Sequence, residues 1–175
     1  MTRATAVSDS SSDKAPVLPE LLPLCREALA AAQAFRDQAR QAVAALVAPE
    51  ARIDPEGLER EQFAAHGLAW LATYVAALEQ MLRWAERLAA GGGLRELERL
   101  FLQAAYGEYL QQMTGGIALS QAEIVRPLDM RLDASAVAAL RTSAVEALIA
   151  RGNTGAVRAR IAGLLGENLD SQDFG

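Results

Sequence analysis

Residues 54–89 read DPEGLEREQFAAHGLAWLATYVAALEQMLRWAERLA, and this stretch decides the fold. Asp54 followed by Pro55 is a helix start: the carboxylate accepts from first-turn amides, and proline fills a position whose N–H has no helical partner. Beyond it Leu68, Leu71, Val75, Leu78, Leu82 and Ala85 recur at steps of three and four. Trp70, Tyr74, Ala77, Met81, Trp84 and Leu88 form a second apolar stripe beside the first. The spacing predicts one central helix running to Ala89, about 36 residues and about 54 Å long at the α-helical rise. Two adjacent stripes call for packing on two sides. Gln62, His66, Thr73, Gln80, Arg83 and Arg87 share the narrow strip that remains, which is left for water or a polar partner.

Outward from this helix the same period recurs. Upstream, Pro16, Pro19 and Pro23 mark the entry to a helix from Glu20 to Val47 that is ended by Pro49. Leu21, Cys25, Ala28, Ala32, Phe35, Ala39, Ala42 and Leu46 fall on its inner face. Downstream, Gly91, Gly92 and Gly93 break the central helix, and a third helix from Leu94 to Met113 turns Leu97, Leu100, Phe101, Ala104 and Leu110 inward before Gly115 and Gly116 stop it. Ser120, Gln121, Ala122 and Glu123 fit a capping box for a short helix ahead of Pro127. After Asp133, Val137, Leu140, Ala144 and Leu148 predict one helix closed by Gly152 and Asn153, and Val157, Ile161, Leu164 and Leu165 predict a last one. No segment alternates at period two. The expected fold is an all-α helical bundle of about four to six helices with one long central helix, and no sheet.

Its organisation follows from composition. Residues 1–15 are rich in Ser, Thr and Asp without an apolar run and read as a disordered leader rather than a signal peptide. Residues 16–166 form the bundle domain, and 167–175 a polar tail or linker. The 175 residues, 51% of them hydrophobic and many of those alanine, suffice for one helical domain with a core. A net charge of −5 argues against nucleic acid or an anionic membrane as partner. One cysteine, Cys25, allows no internal disulfide, and the longest uncharged stretch, Gln62–Leu78, is too short and too polar for a membrane span. A soluble, cytoplasmic protein is expected.

Catalytic chemistry is scarce. The single histidine, His66, excludes any two-histidine metal site. Cys25 belongs to an apolar face and His66 to the polar strip of another helix, so a nucleophile–base pair is disfavoured. Glu56 with Glu59, or Glu108 with Glu123, are carboxylate pairs of the kind that helical surfaces carry as solvated faces or ion pairs. Trp70, Tyr74, Trp84, Tyr106 and Tyr109 read as core rather than as a pocket for a flat ligand, because they fall on apolar stripes. Gly152-Asn153-Thr154-Gly155 ahead of Arg158 and Arg160 lacks a phosphate-loop spacing and any preceding strand, and reads as a plain turn. No catalytic, cofactor-binding or metal-binding residue emerges.

The segment His66-Gly67-Leu68-Ala69-Trp70-Leu71-Ala72-Thr73-Tyr74-Val75 adds a different kind of signal, together with Gly107-Glu108-Tyr109-Leu110, Gly115-Gly116-Ile117 and Ser120-Gln121-Ala122-Glu123-Ile124-Val125-Arg126. Over roughly residues 20 to 165 the chain resembles the N-terminal helical extension of (2S)-methylsuccinyl-CoA dehydrogenases, flavin enzymes of the acyl-CoA dehydrogenase family that serve the ethylmalonyl-CoA pathway. The resemblance implies a parent oxidoreductase that converts methylsuccinyl-CoA to mesaconyl-CoA and passes electrons from FAD to an electron-transferring flavoprotein. It also implies that the FAD site, substrate cleft and catalytic glutamate lie in a core beyond residue 175, so that this chain alone is inactive and holds no cofactor. Its expected role is a non-catalytic accessory domain that packs on the acyl-CoA dehydrogenase core of the same polypeptide or supports contacts in a homo-oligomer. The candidate docking face is His66, Thr73, Gln80 and Arg83, and Tyr106, Glu108, Tyr109 and Glu123 form a second candidate contact. The alternatives are a freestanding helical adaptor for a protein partner and a small-molecule binder that uses the bundle interior.

Overall fold

Pro16 to Glu20 lead into α1, Leu21–Val47, in a computed structural model that describes residues 16–167. The expected leader and the residues after Glu167 lie outside the described residues. α1 buries Leu21, Cys25, Ala28, Leu29, Ala32, Phe35, Ala39 and Val43. Ala42 and Leu46 are only half-buried, because the inward face has drifted to Val43 by the last turns. A 3₁₀ turn at Pro49–Ala51 then reverses the chain.

Asp54 caps the next helix as its sequence demands, its carboxylate accepting from the Glu56 amide at 3.2 Å. The single central helix expected from there to Ala89 is, however, two: α2, Pro55–Arg60, and α3, Gln62–Ala90. Glu61 between them leaves the helical region at φ −108° and ψ 24°. The cause is Gly57, where a β-carbon would sit 2.9 Å from the Leu46 carbonyl oxygen and 2.6 Å from Asp54 Oδ2. α2 is thereby pressed against the last turns of α1, whereas α3 lies along α1's length, and Glu61 absorbs the change.

α4, Glu96–Gly115, starts with the Glu98 carboxylate accepting from the Arg95 amide at 3.1 Å. It buries Leu100, Leu102, Tyr106, Leu110 and Met113, while Phe101, expected inside, is exposed. The short helix and the absence of a sheet are both corrected by residues 117–125. They form an antiparallel hairpin of β1, Ile117–Ala118, and β2, Ile124–Val125. Ser120 does cap, but it caps the hairpin loop: its Oγ accepts from the amides of Ala122 at 3.3 Å and Glu123 at 3.1 Å. Gly116, at φ 141°, supplies the turn out of α4.

After a 3₁₀ turn at Pro127–Met130, the one helix expected from Asp133 to Gly152 is also divided, into α5, Ala134–Leu140, and α6, Ser143–Arg151. Thr142 causes the division by capping α6, its hydroxyl accepting from the Val145 amide at 3.3 Å. α7, Gly155–Glu167, completes seven α-helices among the described residues. The all-α bundle stands, with two long helices, α1 and α3, packed side by side. α1 also touches α4, α5 and α6, so the main core runs from Leu18 to Leu148 around it. A smaller cluster of Leu100, Val157 and Leu164 seats α7 on α4.

Candidate functional site

The two apolar stripes of α3 have different fates. Leu71, Val75, Leu78, Leu82 and Ala85 are buried against the core. Trp70, Tyr74, Ala77, Met81, Trp84 and Leu88 are only half-buried; Tyr74 stacks on Tyr109 of α4, and Met81 and Trp84 share a groove with Phe101, Ala104 and Ala105 of α4, which together form an open seam. The expected packing on two sides is therefore complete on one side alone.

At one end of this seam the rings are held in sequence. The Trp70 indole N–H donates to His66 Nε2 at 3.0 Å, and Trp70 meets Tyr74 edge to face at 6.3 Å between centroids. Tyr74 stacks on Tyr109 of α4 at 4.4 Å and 15°. A polar relay runs alongside. The Tyr74 hydroxyl donates to Gln112 Oε1 at 2.7 Å, Gln112 Nε2 donates to Glu108 at 2.8 Å, and Asn153 Nδ2 donates to the other Glu108 oxygen at 2.9 Å. Burial pushes the Tyr74 phenol up, aided by Tyr109 and Glu108 beside it, so Tyr74 stays neutral and keeps donating at neutral pH. At the other end, Gln80, Met81, Trp84, Phe101, Ala104 and Ala105 line a groove of about 630 Å³.

The first candidate set lies on this outer side of α3, all four residues exposed. His66 accepts from Trp70, the Thr73 hydroxyl donates to the Ala69 carbonyl at 2.8 Å, Arg83 pairs with Glu79, and Gln80 forms the rim of the groove. The second set is dispersed. Tyr106 is fully buried and donates to the Leu78 carbonyl at 3.0 Å, so it braces α4 on α3 from within. Tyr109 and Glu108 join the seam and its relay, and Glu123 sits exposed in the hairpin loop. Of the five aromatics expected in the core, Tyr106 alone is fully buried, while Trp70, Tyr74, Trp84 and Tyr109 are half-buried and packed against that core. Gln112, Phe101 and Asn153 went unnamed as site residues. The i,i+4 spacing of Glu108 and Gln112 was the one signal available for any of them.

No catalytic pairing is assembled from the groups considered. Cys25 is fully buried beside Tyr106 with its thiol pushed up to about 12 by burial, while His66 is on the surface. Glu56 faces Arg60, and Glu108 is engaged by Gln112 and Asn153. The turn before α7 is satisfied internally: Arg158 donates to the Asn153 carbonyl at 2.6 Å and side chain at 3.1 Å, and Arg160 pairs with Glu96 at 2.7 Å. Its Gly152 is required by packing, since a β-carbon there would lie 2.5 Å from the Gln103 carbonyl oxygen. Among the described residues no three His, Cys, Asp or Glu side chains gather to hold a metal ion, and no helix is long and apolar enough to cross a membrane.

No family model matches the chain. It is 43% identical over 160 residues to the (2S)-methylsuccinyl-CoA dehydrogenase of Cereibacter sphaeroides, an alignment that covers 91% of this chain and 28% of that protein. The chain thus spans between a quarter and a third of the length of the curated relative it matches, and the resemblance carried by residues 66–75 and 107–126 extends over nearly all of it.

Proposed function

From this kinship with part of a (2S)-methylsuccinyl-CoA dehydrogenase, we propose that the chain is a non-catalytic helical accessory domain of an acyl-CoA dehydrogenase. The alignment carries the reading: at 43% identity nearly the whole chain is accounted for, while 28% of the relative is used. The parent polypeptide would oxidise methylsuccinyl-CoA to mesaconyl-CoA in the cytoplasm, with FAD held in its remaining part. None of the described residues is assigned to that FAD. No buried side-chain nitrogen or oxygen among them lacks a hydrogen-bond partner, so nothing is left waiting for the polar edge of an isoalloxazine ring.

What these residues supply instead is a stiff body with one surface of distinct character. His66, Thr73, Gln80 and Arg83 line the outer side of α3, and Glu108 and Tyr109 continue it across α4. This side is assigned to contact with the dehydrogenase core or with another subunit of the assembled enzyme. Reversing charge there, as in Arg83→Glu and Glu108→Lys, should alter the assembly or kinetics of the full-length enzyme. Unchanged assembly and kinetics would remove this side from the contact. The decisive experiment for the reading as a whole is the intact mass and visible spectrum of the natural polypeptide. A flavin band on a species several times heavier than 18.6 kDa supports the accessory-domain reading. A colourless species of 18.6 kDa overturns it in favour of a freestanding adaptor, for which the open groove is the specific support.

A further inference from the structure

The seam between α3 and α4 has features that the polar strip beside it lacks. Five of the six side chains that line its groove are apolar, and Phe101, in the middle of a helix that fully buries Leu100, Leu102, Tyr106 and Leu110, is 37% exposed. Phe63, seven residues before Trp70 and so on the same line of α3, is 42% exposed. The apolar line thus runs from Phe63 through Trp70, Tyr74 and Met81 to Trp84, about 32 Å at the helical rise. Water-facing apolar lines of this length mark interaction surfaces. Two polar atoms along it are already engaged within the domain, the Trp70 N–H by His66 and the Tyr74 hydroxyl by Gln112, while the Trp84 indole N–H in the groove is left for the occupant to satisfy. An apolar body laid over Trp70 and Tyr74 would strand neither of their polar groups, and stacked rings give up little side-chain freedom on being covered.

We infer that this seam is the docking surface for the remaining part of the chain's own polypeptide, which seats an apolar ridge in the Met81–Trp84–Phe101 groove. The inference rests on the accessory-domain reading. The relative extends well beyond the 28% aligned here, so a domain like this one is tethered to a much larger body. Tethering raises the local concentration of that body to about the millimolar range. A contact too modest to hold a stranger then suffices in cis, which matches a groove of this size without a charged anchor. Gln80 on its rim supplies the one polar side chain, and fixes the register of whatever enters.

Hydroxyl-radical footprinting of the natural polypeptide tests this, before and after the domain is released by limited proteolysis, with intact mass recorded first. The expected result is several-fold slower oxidation of Met81, Trp84 and Phe101 in the intact polypeptide than in the released domain, with Ile53 and Leu128, exposed elsewhere, oxidised equally in both. Phe101→Glu should abolish the protection in the intact polypeptide while leaving the circular dichroism of the domain unchanged. A heavy, flavin-bearing polypeptide whose seam oxidises as fast as in the released domain overturns the docking surface and leaves the accessory-domain reading standing. Protection that persists in the released domain and disappears on dilution shows a second copy as the occupant and overturns the inference. An 18.6 kDa species overturns both.

Discussion

A β-carbon on Gly67 would lie 2.4 Å from Val125 Cγ1: the hairpin after α4 rests its buried valine directly on the backbone of α3. Val125 is fully buried and β-branched, so it has one comfortable rotamer and little room to retreat. The same missing side chain would meet Met130 Cγ at 3.3 Å. Glycine in the middle of α3, which costs about 1 kcal/mol of helix propensity, is thus explained by close approach.

Gly67→Ala should therefore destabilise the domain by about 1 to 2 kcal/mol, overpacking outweighing the gain in helix propensity. Adding Val125→Ala in the same chain should recover part of that loss, because the clash is gone. A double-mutant cycle by urea denaturation checks this, and a stabilised single variant would contradict the packing seen here.

Gln103, the one fully buried polar side chain of the described core, ties the start of the domain to α4. Its Oε1 accepts from the Leu18 amide at 2.9 Å, and its Nε2 donates to the Pro16 carbonyl at 2.7 Å. Gln103→Leu leaves both backbone groups without partners and should cost about 2 kcal/mol. Hydrogen exchange at the Leu18 amide should rise together with the loss of stability. Unaltered exchange at Leu18 would show that the tie is not formed in solution.

Alkaline pH should unfold the protein earlier than it unfolds most helical domains. Burial raises the Cys25 thiol from 9.0 to about 12 and raises the Tyr106 phenol as well. Both groups are neutral in the fold, and the unfolded chain releases their protons first as pH rises. The stability they lend is whole below about pH 9 and is lost progressively toward pH 12, a change on the order of a few kcal/mol. Urea midpoints at neutral pH and above pH 10 measure it. In the same experiments a thiol reagent should label Cys25 at the rate of unfolding and no faster.

Acid should loosen α7 before the rest. Arg160 donates through Nε at 2.8 Å and Nη2 at 2.7 Å to Glu96, and this two-pronged contact holds the Glu96 carboxyl below the usual carboxylate range. Because the folded value is the lower one, the contribution is present above the ordinary glutamate range and is lost as pH falls through the folded value. Amide exchange in α7 should rise on acidification ahead of exchange in α3. Arg160→Ala should produce the same loosening at neutral pH and remove its dependence on pH.

What was legible in the sequence was whatever a single helix decides for itself. The inward faces of α1 and α3, the Asp54 cap and the burial of Cys25 all follow from period and local capping. What was not legible depends on two elements meeting. Ser120 and Glu123 carry the chemistry of a capping box, yet Ser120 closes a hairpin loop, because Val125 finds a place on Gly67 some sixty positions earlier. Glu61 breaks a periodic helix because Gly57 is trapped beneath Leu46. Phe101 keeps a core-like position in α4's sequence pattern but opens into a groove, since α4 lends its neighbouring face to α7 through Leu100. The candidate strip on α3 could be drawn from sequence, whereas its union with Tyr109, Glu108 and Gln112 required knowing that α4 lies beside it.

Trp70 and Trp84 are the chain's two tryptophans, and both stand on the α3–α4 seam. The domain's tryptophan fluorescence is consequently a property of that face alone. Its emission wavelength, its quenching by added iodide and its anisotropy carry almost nothing about α5, α6 or the hairpin. Every fluorescence titration of this protein is in effect an assay of what lies over the seam, with no label to attach.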